Sequence, residues 1–233
     1  TMSPEDRSSA EEAPEPSGAV ETRDSGGRGR RRRVLEVSGS AAGGVRAHLG
    51  DCARLLVQAG HDVIVEAPAA VIDGVDLGGA RGEPLEIGPR PSPGDPAAVA
   101  RLRRLGRRAD VVHAHGLRAG ALAALALGRR RSGRTRLVVT LHNLTVGGRL
   151  TRAVGERLER LVATRADLVL AVSPDLVERA TRCGAKRVEI AVIPAPPRAL
   201  TGLAPIASSV ESAWGAEGLR LLTVARLAPQ KGI

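Results

Sequence analysis

Four groups of residues in this sequence have the types and spacing to do chemistry. His113 and His115 alternate in Asp110-Val111-Val112-His113-Ala114-His115-Gly116, so on an extended strand both project to one face. His142 and Asn143 close another apolar run, Arg136 to Leu141, and Ser173 follows a fourth run, Asp167 to Val172. Gly43 and Gly44 end a Ser/Gly loop that opens an amphipathic helix. Free N–H groups and the helix dipole at such a start suit an anion, typically a phosphate. Arg226 and Lys231 flank a turn near the last residue, and two cations so placed suit a diphosphate. Imidazoles can move protons, hydrogen-bond or ligate a metal. A zinc site needs more ligands than the His113/His115 pair, and no neighbouring Cys, Asp or Glu completes one, so no metal is expected. His48 and His61 read as structural.

The elements that must position these residues are legible from periodicity. Val34, Leu35 and Val37 form a short strand, and Ser38 to Gly44 forms the loop. Val45, Leu49, Cys52, Leu56 and Ala59 then recur at helical spacing as the inward face, Gly60 stops the helix, and Val63-Ile64-Val65 is the next strand. This is a βαβ unit, which implies a parallel sheet covered by helices, an α/β fold. Leu85-Glu86-Ile87 suggests a further short strand, and Asp95-Pro96 a helix cap with Pro at the first helical position. Ser173-Pro174-Asp175 starts another helix, which Gly184 ends. Val188 to Ile193 is one more strand, and Leu219 to Val224 begins another. The glycine loop, His113, His115, His142 and Ser173 therefore fall at the carboxyl ends of predicted parallel strands, where open α/β sheets bind ligands.

Composition narrows the function classes. The chain has 233 residues, 42% hydrophobic, with no Phe or Tyr and one Trp, so its core must be Leu, Val, Ala and Ile. A net charge of +10 favours anionic partners. Nucleic acid is not among those expected, because single-strand binding uses aromatic platforms that are missing. Cys52 and Cys183 sit on separate predicted helices and suit neither a disulfide framework nor a metal site, which points to a reducing cytoplasm. No secretory signal is legible, and the longest apolar run, Ala119 to Leu127, is far short of the ~20 residues that span a bilayer.

Two other readings attach to particular residues. Gly39, Ala41 and Gly44 approximate a dinucleotide fingerprint, with Glu66 placed for a ribose, as in an NAD(P)-dependent oxidoreductase. Ala41 stands where the second glycine admits the pyrophosphate, and that counts against it. Arg101, Arg103, Arg104, Arg107 and Arg108 form a basic helix face that could dock on an anionic membrane without catalysis.

An ordered set of motifs resembles the nucleotide-sugar glycosyltransferases of the GT-B fold, specifically glycosyltransferase family 4. The matches are Gly43-Gly44, Ala59-Gly60-His61-Asp62-Val63, Asp110-Val111-Val112-His113-Ala114-His115, Thr140-Leu141-His142-Asn143, Ala166-Asp167 with Val172-Ser173, and Ala225-Arg226-Leu227-Ala228-Pro229-Gln230-Lys231-Gly232. The resemblance implies two Rossmann-like domains, each a parallel sheet with helices on both faces, and an active site between them. The chain would hold a tail expected to be disordered over 1–30 and the acceptor-side domain over 31–198. A linker over 199–218 and the first strand and phosphate loop of the donor domain over 219–233 would follow.

By similarity Gly43 and Gly44 approach the donor diphosphate, Arg226 and Lys231 neutralise it as it leaves, and His142 contacts the transferred sugar. His113, His115, Asn143 and Ser173 would line the cleft on the acceptor side. The family retains anomeric configuration and generally needs no metal or other cofactor. The implied partners are a nucleoside-diphosphate sugar, a sugar, lipid-linked or small-molecule acceptor, and an anionic membrane surface at the inner face. Ala225 replaces the family's usual Gly, and Ala195-Pro196-Pro197 replaces its Asn-Gly. The family's acidic donor-site motif has no counterpart here, so the chain reads as a fragment not competent for transfer by itself.

Overall fold

A computed structural model describes residues 30–41, 43–128, 135–143 and 148–193. The expected tail over 1–29, the linker over 199–218 and the donor-domain start over 219–233 lie outside them, as do Arg226 and Lys231. The elements run β1 (Arg33–Ser38), α1 (Gly44–Gln58), β2 (Asp62–Ala67), α2 (Ala69–Ile72), β3 (Arg81–Pro84), α3 (Asp95–Gly106) and β4 (Val111–His115). They continue with α4 (Leu117–Leu127), β5 (Arg136–Leu141), α5 (Arg149–Arg165), β6 (Leu168–Ala171), α6 (Pro174–Arg182) and β7 (Val188–Ile190).

All seven strands pair in parallel, in the order β3-β2-β1-β4-β5-β6-β7. Strand alternation divides the core. Val34, Val63 and Val65 face Leu49 and Ala53 of α1 and Val71 of α2. Leu35, Val37, Val112, Val139 and Val169 face the opposite layer, α3 to α6. This is the helix-covered parallel sheet that the βαβ pattern implied, in the Rossmann-like form with helices on both faces that the resemblance implied. The chain leaves β1 towards β2 on one side and returns to β4 on the other, so the strand order reverses between β1 and β4. The crevice beyond the carboxyl ends of those two strands is the natural ligand position of such a sheet.

With no Phe or Tyr available, this core gains its density from close backbone approach. Helix α4 is buried through Ala119, Gly120, Ala121, Leu122, Ala123, Ala124 and Ala126. A methyl group on Gly120 would lie 2.7 Å from Val139 Cγ1 and 3.3 Å from Val162 Cγ2, so glycine there lets α4 sit directly on β5 and α5.

Several expectations need correction. Leu85 to Ile87 is not a strand; β3 ends at Pro84, and Ile87 folds into the core, fully buried, where its carbonyl accepts the Ser40 N–H at 2.9 Å. Leu85 extends the pairing by one bond, its N–H donating to the Ala67 carbonyl at 2.9 Å, and Ile87 read as strand because burial, not pairing, selected it. The last strand stops at Ile190, and Val192 is exposed. Gly94, not Asp95, caps α3, and the Asp95 carboxylate instead receives the Arg118 guanidinium at 2.8 and 2.9 Å. Ser173 does cap α6 with extended backbone, followed by Pro174 and Asp175, although its hydroxyl makes no cap bond. Helix α1 ends as expected: Gly60 takes φ 84°, and the Gly60 and His61 N–H groups bond the Val57 and Leu56 carbonyls. Its inward stripe is turned by one residue, to Leu49, Gly50 and Ala53, while Ala59 is exposed. Gly50 sets that rotation, since a Cβ there would meet Val75 Cγ1 at 2.5 Å.

Candidate functional site

The registers of β1, β4 and β5 build the site. Glu36 pairs with His113, Ser38 with His115, and His115 with Thr140, so alternate positions of three neighbouring strands meet on the face that α1 covers. A parallel sheet covered on both sides is ordinarily apolar throughout. Here Glu36, Ser38, His115 and Thr140 are all buried at that face. The Glu36 carboxylate receives His115 Nε2 at 2.7 Å and His113 Nδ1 at 3.1 Å. The other His113 nitrogen, Nε2, meets the Thr140 hydroxyl at 2.8 Å.

Helix α1 brings His48 and Cys52 to the same place, one turn apart. The His48 ring packs edge-on to His115 at 5.3 Å and to His142 at 5.7 Å, and its Nε2 lies 3.5 Å from Cys52 Sγ. His142 stacks on His115 with ring centres 5.9 Å apart. Two buried ring nitrogens in this cluster, His115 Nδ1 and His142 Nε2, have no hydrogen-bond partner among the described residues. Such a group costs about 1–3 kcal/mol, which is the signature of a site that awaits something.

The electrostatics follow from burial. Burial by itself raises the Glu36 carboxyl, but attraction to His113 and hydrogen bonds from both rings outweigh it and hold the group at about 2. Burial, then repulsion from His113, pushes His115 down to about 4 against the pull of Glu36. Burial and the neighbouring rings push His142 down to about 3. His48 is lowered as well, chiefly by burial. At neutral pH the site thus holds one carboxylate and an uncharged His142 able to donate or accept a hydrogen bond.

These shifts make an acid-lability prediction. The His115 and His142 rings are neutral in the folded chain at pH values where they protonate once unfolded, from an ordinary value of 6.5. Their contribution is complete above that value and is lost as pH falls through it towards 4 and 3. Each such ring adds a slope of about 1.4 kcal/mol per pH unit in that window. Urea unfolding should therefore show clearly lower stability at about pH 5 than at about pH 7, with a shallower fall in His142→Asn. Equal stability at both would remove the argument.

Of the expected residues, His113, His115 and His142 are brought together. Gly43 takes φ 57° as the cap of α1, and the space where a Cβ of Gly43 or Gly44 would lie is open for 4 Å. Two expected members are not with the histidines. Asn143 lies on the opposite side of the sheet, where it lines a small hollow with Leu117, Leu141, Val162 and Leu176. Ser173 follows β6, two strands away from β4. His61 stays outside the cluster, exchanging a 3.4 Å contact with the Arg32 N–H.

Sequence reasoning missed Glu36, His48 and Cys52. The signal for Glu36 was present, as an acid inside the otherwise apolar Val34-Leu35-Glu36-Val37. The expectation that no Cys or acid stands near His113 and His115 is also overturned, since Glu36 and Cys52 both adjoin them. Glu66, read as a possible ribose ligand, is fully buried, and both its carboxylate oxygens are held by Arg101 at 2.7 and 2.9 Å. The same pairing removes Arg101 from the basic face of α3, and Arg103 donates to the Ala126 carbonyl at 3.0 Å. Arg104, Arg107 and Arg108 remain exposed. No helix among the described residues is long and apolar enough to cross a membrane.

Comparison with known proteins gives three findings. A sequence model described as a glycosyl transferase 4-like domain matches residues 43–196. No curated protein matches. Among solved structures, Anabaena HepE in complex with UDP superposes with a TM-score of 0.52 at 21% identity, over 68% of this chain and 43% of that one. HepE with UDP-glucose gives 0.52 at 19% identity, over 69% and 43%. Sucrose-phosphate synthase of Thermosynechococcus elongatus gives 0.50 at 14%, over 69% and 47%. At these identities the likeness is one of fold, and the chain spans less than half the length of each structure.

Proposed function

The chain belongs to the glycosyl transferase 4-like family, and from that premise we propose that it is the acceptor-side part of a retaining glycosyltransferase. The enzyme moves a hexosyl group from a nucleoside-diphosphate sugar to a sugar, lipid-linked or small-molecule acceptor. One observation carries the reading: an uncharged, half-buried His142 stands among buried polar groups on β1, β4 and β5, at the point where the strand order reverses. A neutral imidazole there can hold a sugar hydroxyl beside the reacting carbon without opposing the positive charge that develops on the sugar.

The N–H groups of Gly43 and Gly44, at the start of α1, face the donor diphosphate in this reading. Arg226 and Lys231 neutralise the leaving group. HepE was solved with UDP and with UDP-glucose, which makes a uridine-diphosphate sugar the first donor to try. The loss of both Glu66 oxygens to Arg101 speaks against the dinucleotide alternative.

The test uses the whole protein that contains this chain. Thermal stabilisation is measured with a panel of nucleoside-diphosphate sugars and with NAD(P). One donor should raise Tm, and Arg226→Ala or Lys231→Ala should abolish the rise. Stabilisation by NAD(P) and by no sugar nucleotide would end the transferase reading.

A further inference from the structure

We propose that Cys52, His113 and His115 form a binding site for a borderline divalent metal ion of the zinc class. The Cys52 sulfur and one ring nitrogen from each histidine all lie within 4.8 Å of one another. Zinc bonds of about 2.0–2.3 Å place ligand atoms roughly 3.5 Å apart, so side-chain shifts of about an ångström close the set. Thiolate and imidazole together are the donors that select zinc over magnesium or calcium.

The independent pointer is His115. Its side chain is fully buried and its Nε2 is bonded to the Glu36 carboxylate at 2.7 Å. A carboxylate at that distance accepts a hydrogen bond from the ring N–H, so the proton sits on Nε2 and the lone pair on Nδ1, which is buried and has no partner among the described residues. Carboxylate–histidine–metal is the usual way a protein fixes a ligand's tautomer and raises its basicity. Glu36 does the same for His113 through Nδ1 at 3.1 Å, and ligation by His113 Nε2 would displace the Thr140 hydroxyl now at 2.8 Å. His48 Nε2, 3.5 Å from the Cys52 sulfur, stands beside the fourth position. Charge also balances. On binding the Cys52 thiol releases its proton to solvent, and the resulting thiolate and the Glu36 carboxylate together neutralise the dication in a buried site. The metal takes no part in the proposed sugar transfer; the two sites adjoin where His142 stacks on His115.

The test titrates Co²⁺, then Zn²⁺, into the whole protein that contains this chain, untagged and under anaerobic conditions. About one equivalent of Co²⁺ should give a thiolate charge-transfer band and the intense visible bands of four-coordinate cobalt, both removed by Zn²⁺. Cys52→Ser should abolish the charge-transfer band and weaken binding about tenfold or more, while Cys183→Ser leaves both unchanged. Absence of the band in the parent chain, or its persistence in Cys52→Ser, overturns the proposal. A second readout needs no variant. Zinc should protect Cys52, and not Cys183, from alkylation mapped by mass spectrometry, and an unchanged Cys52 rate overturns it equally.

Discussion

Replacing Glu36 by alanine is expected to remove about 2–5 kcal/mol of folding stability at neutral pH, the cost of leaving two buried ring N–H groups without their acceptor at about 1–3 kcal/mol each. Glu36 is fully buried and bonds two imidazoles at once, at 2.7 and 3.1 Å. Without it those rings keep their burial and lose their acceptor. Glu36→Gln retains the shape and one acceptor oxygen, so it should lose less. The sign with pH is fixed by the lowered carboxyl. Held at about 2 when folded against an ordinary 4.5, it stabilises fully above 4.5 and progressively less as pH falls from there towards 2. The gap between parent and Glu36→Ala in urea unfolding should therefore narrow in that window. If Glu36→Ala unfolds within about 1 kcal/mol of the parent at neutral pH, the buried network is not what holds this face of the sheet.

The second large effect is catalytic. In the whole protein, His142→Ala should lower kcat about 10²–10³-fold, the loss usual for one preorganised hydrogen-bonding group at a reacting centre. Folding stability should change little. The ring's Nε2 is buried without a partner, so its removal relieves a penalty of about 1–3 kcal/mol that offsets the lost packing. A large loss of kcat with nearly constant Tm is the pattern of a residue kept for function at some cost to stability. A kcat within about threefold of the parent would take His142 out of the proposed step, and a matching fall in Tm would recast it as structural.

The two experiments separate the roles within one cluster. Glu36 touches only protein groups and positions His113 and His115. His142 has a nitrogen left over. The exposed edge beyond β7, with Ile190 and Val192 largely in solvent, belongs to neither role.

Local patterns alone determined much of this protein. Alternation and helical spacing placed the strands and helices from Val34 onward except α2 and β3, because each depends on neighbours a few residues away. Gly60 and Ser173-Pro174-Asp175 marked helix ends for the same reason. His113 and His115 fell on one face because a strand repeats every second residue. What the chain could not reveal locally is whatever depends on how elements meet. Glu36 reads as a blemish in an apolar strand until the register of β1 on β4 sets it against His113. His48 and Cys52 enter the cluster only because α1 packs on the sheet so that His48 meets His115 of β4, which no local pattern gives. His142 and Asn143 are adjacent in sequence yet serve opposite faces, because strand parity carries past the end of β5. Register, helix rotation and strand order are set by long-range packing, and no window of sequence contains that information.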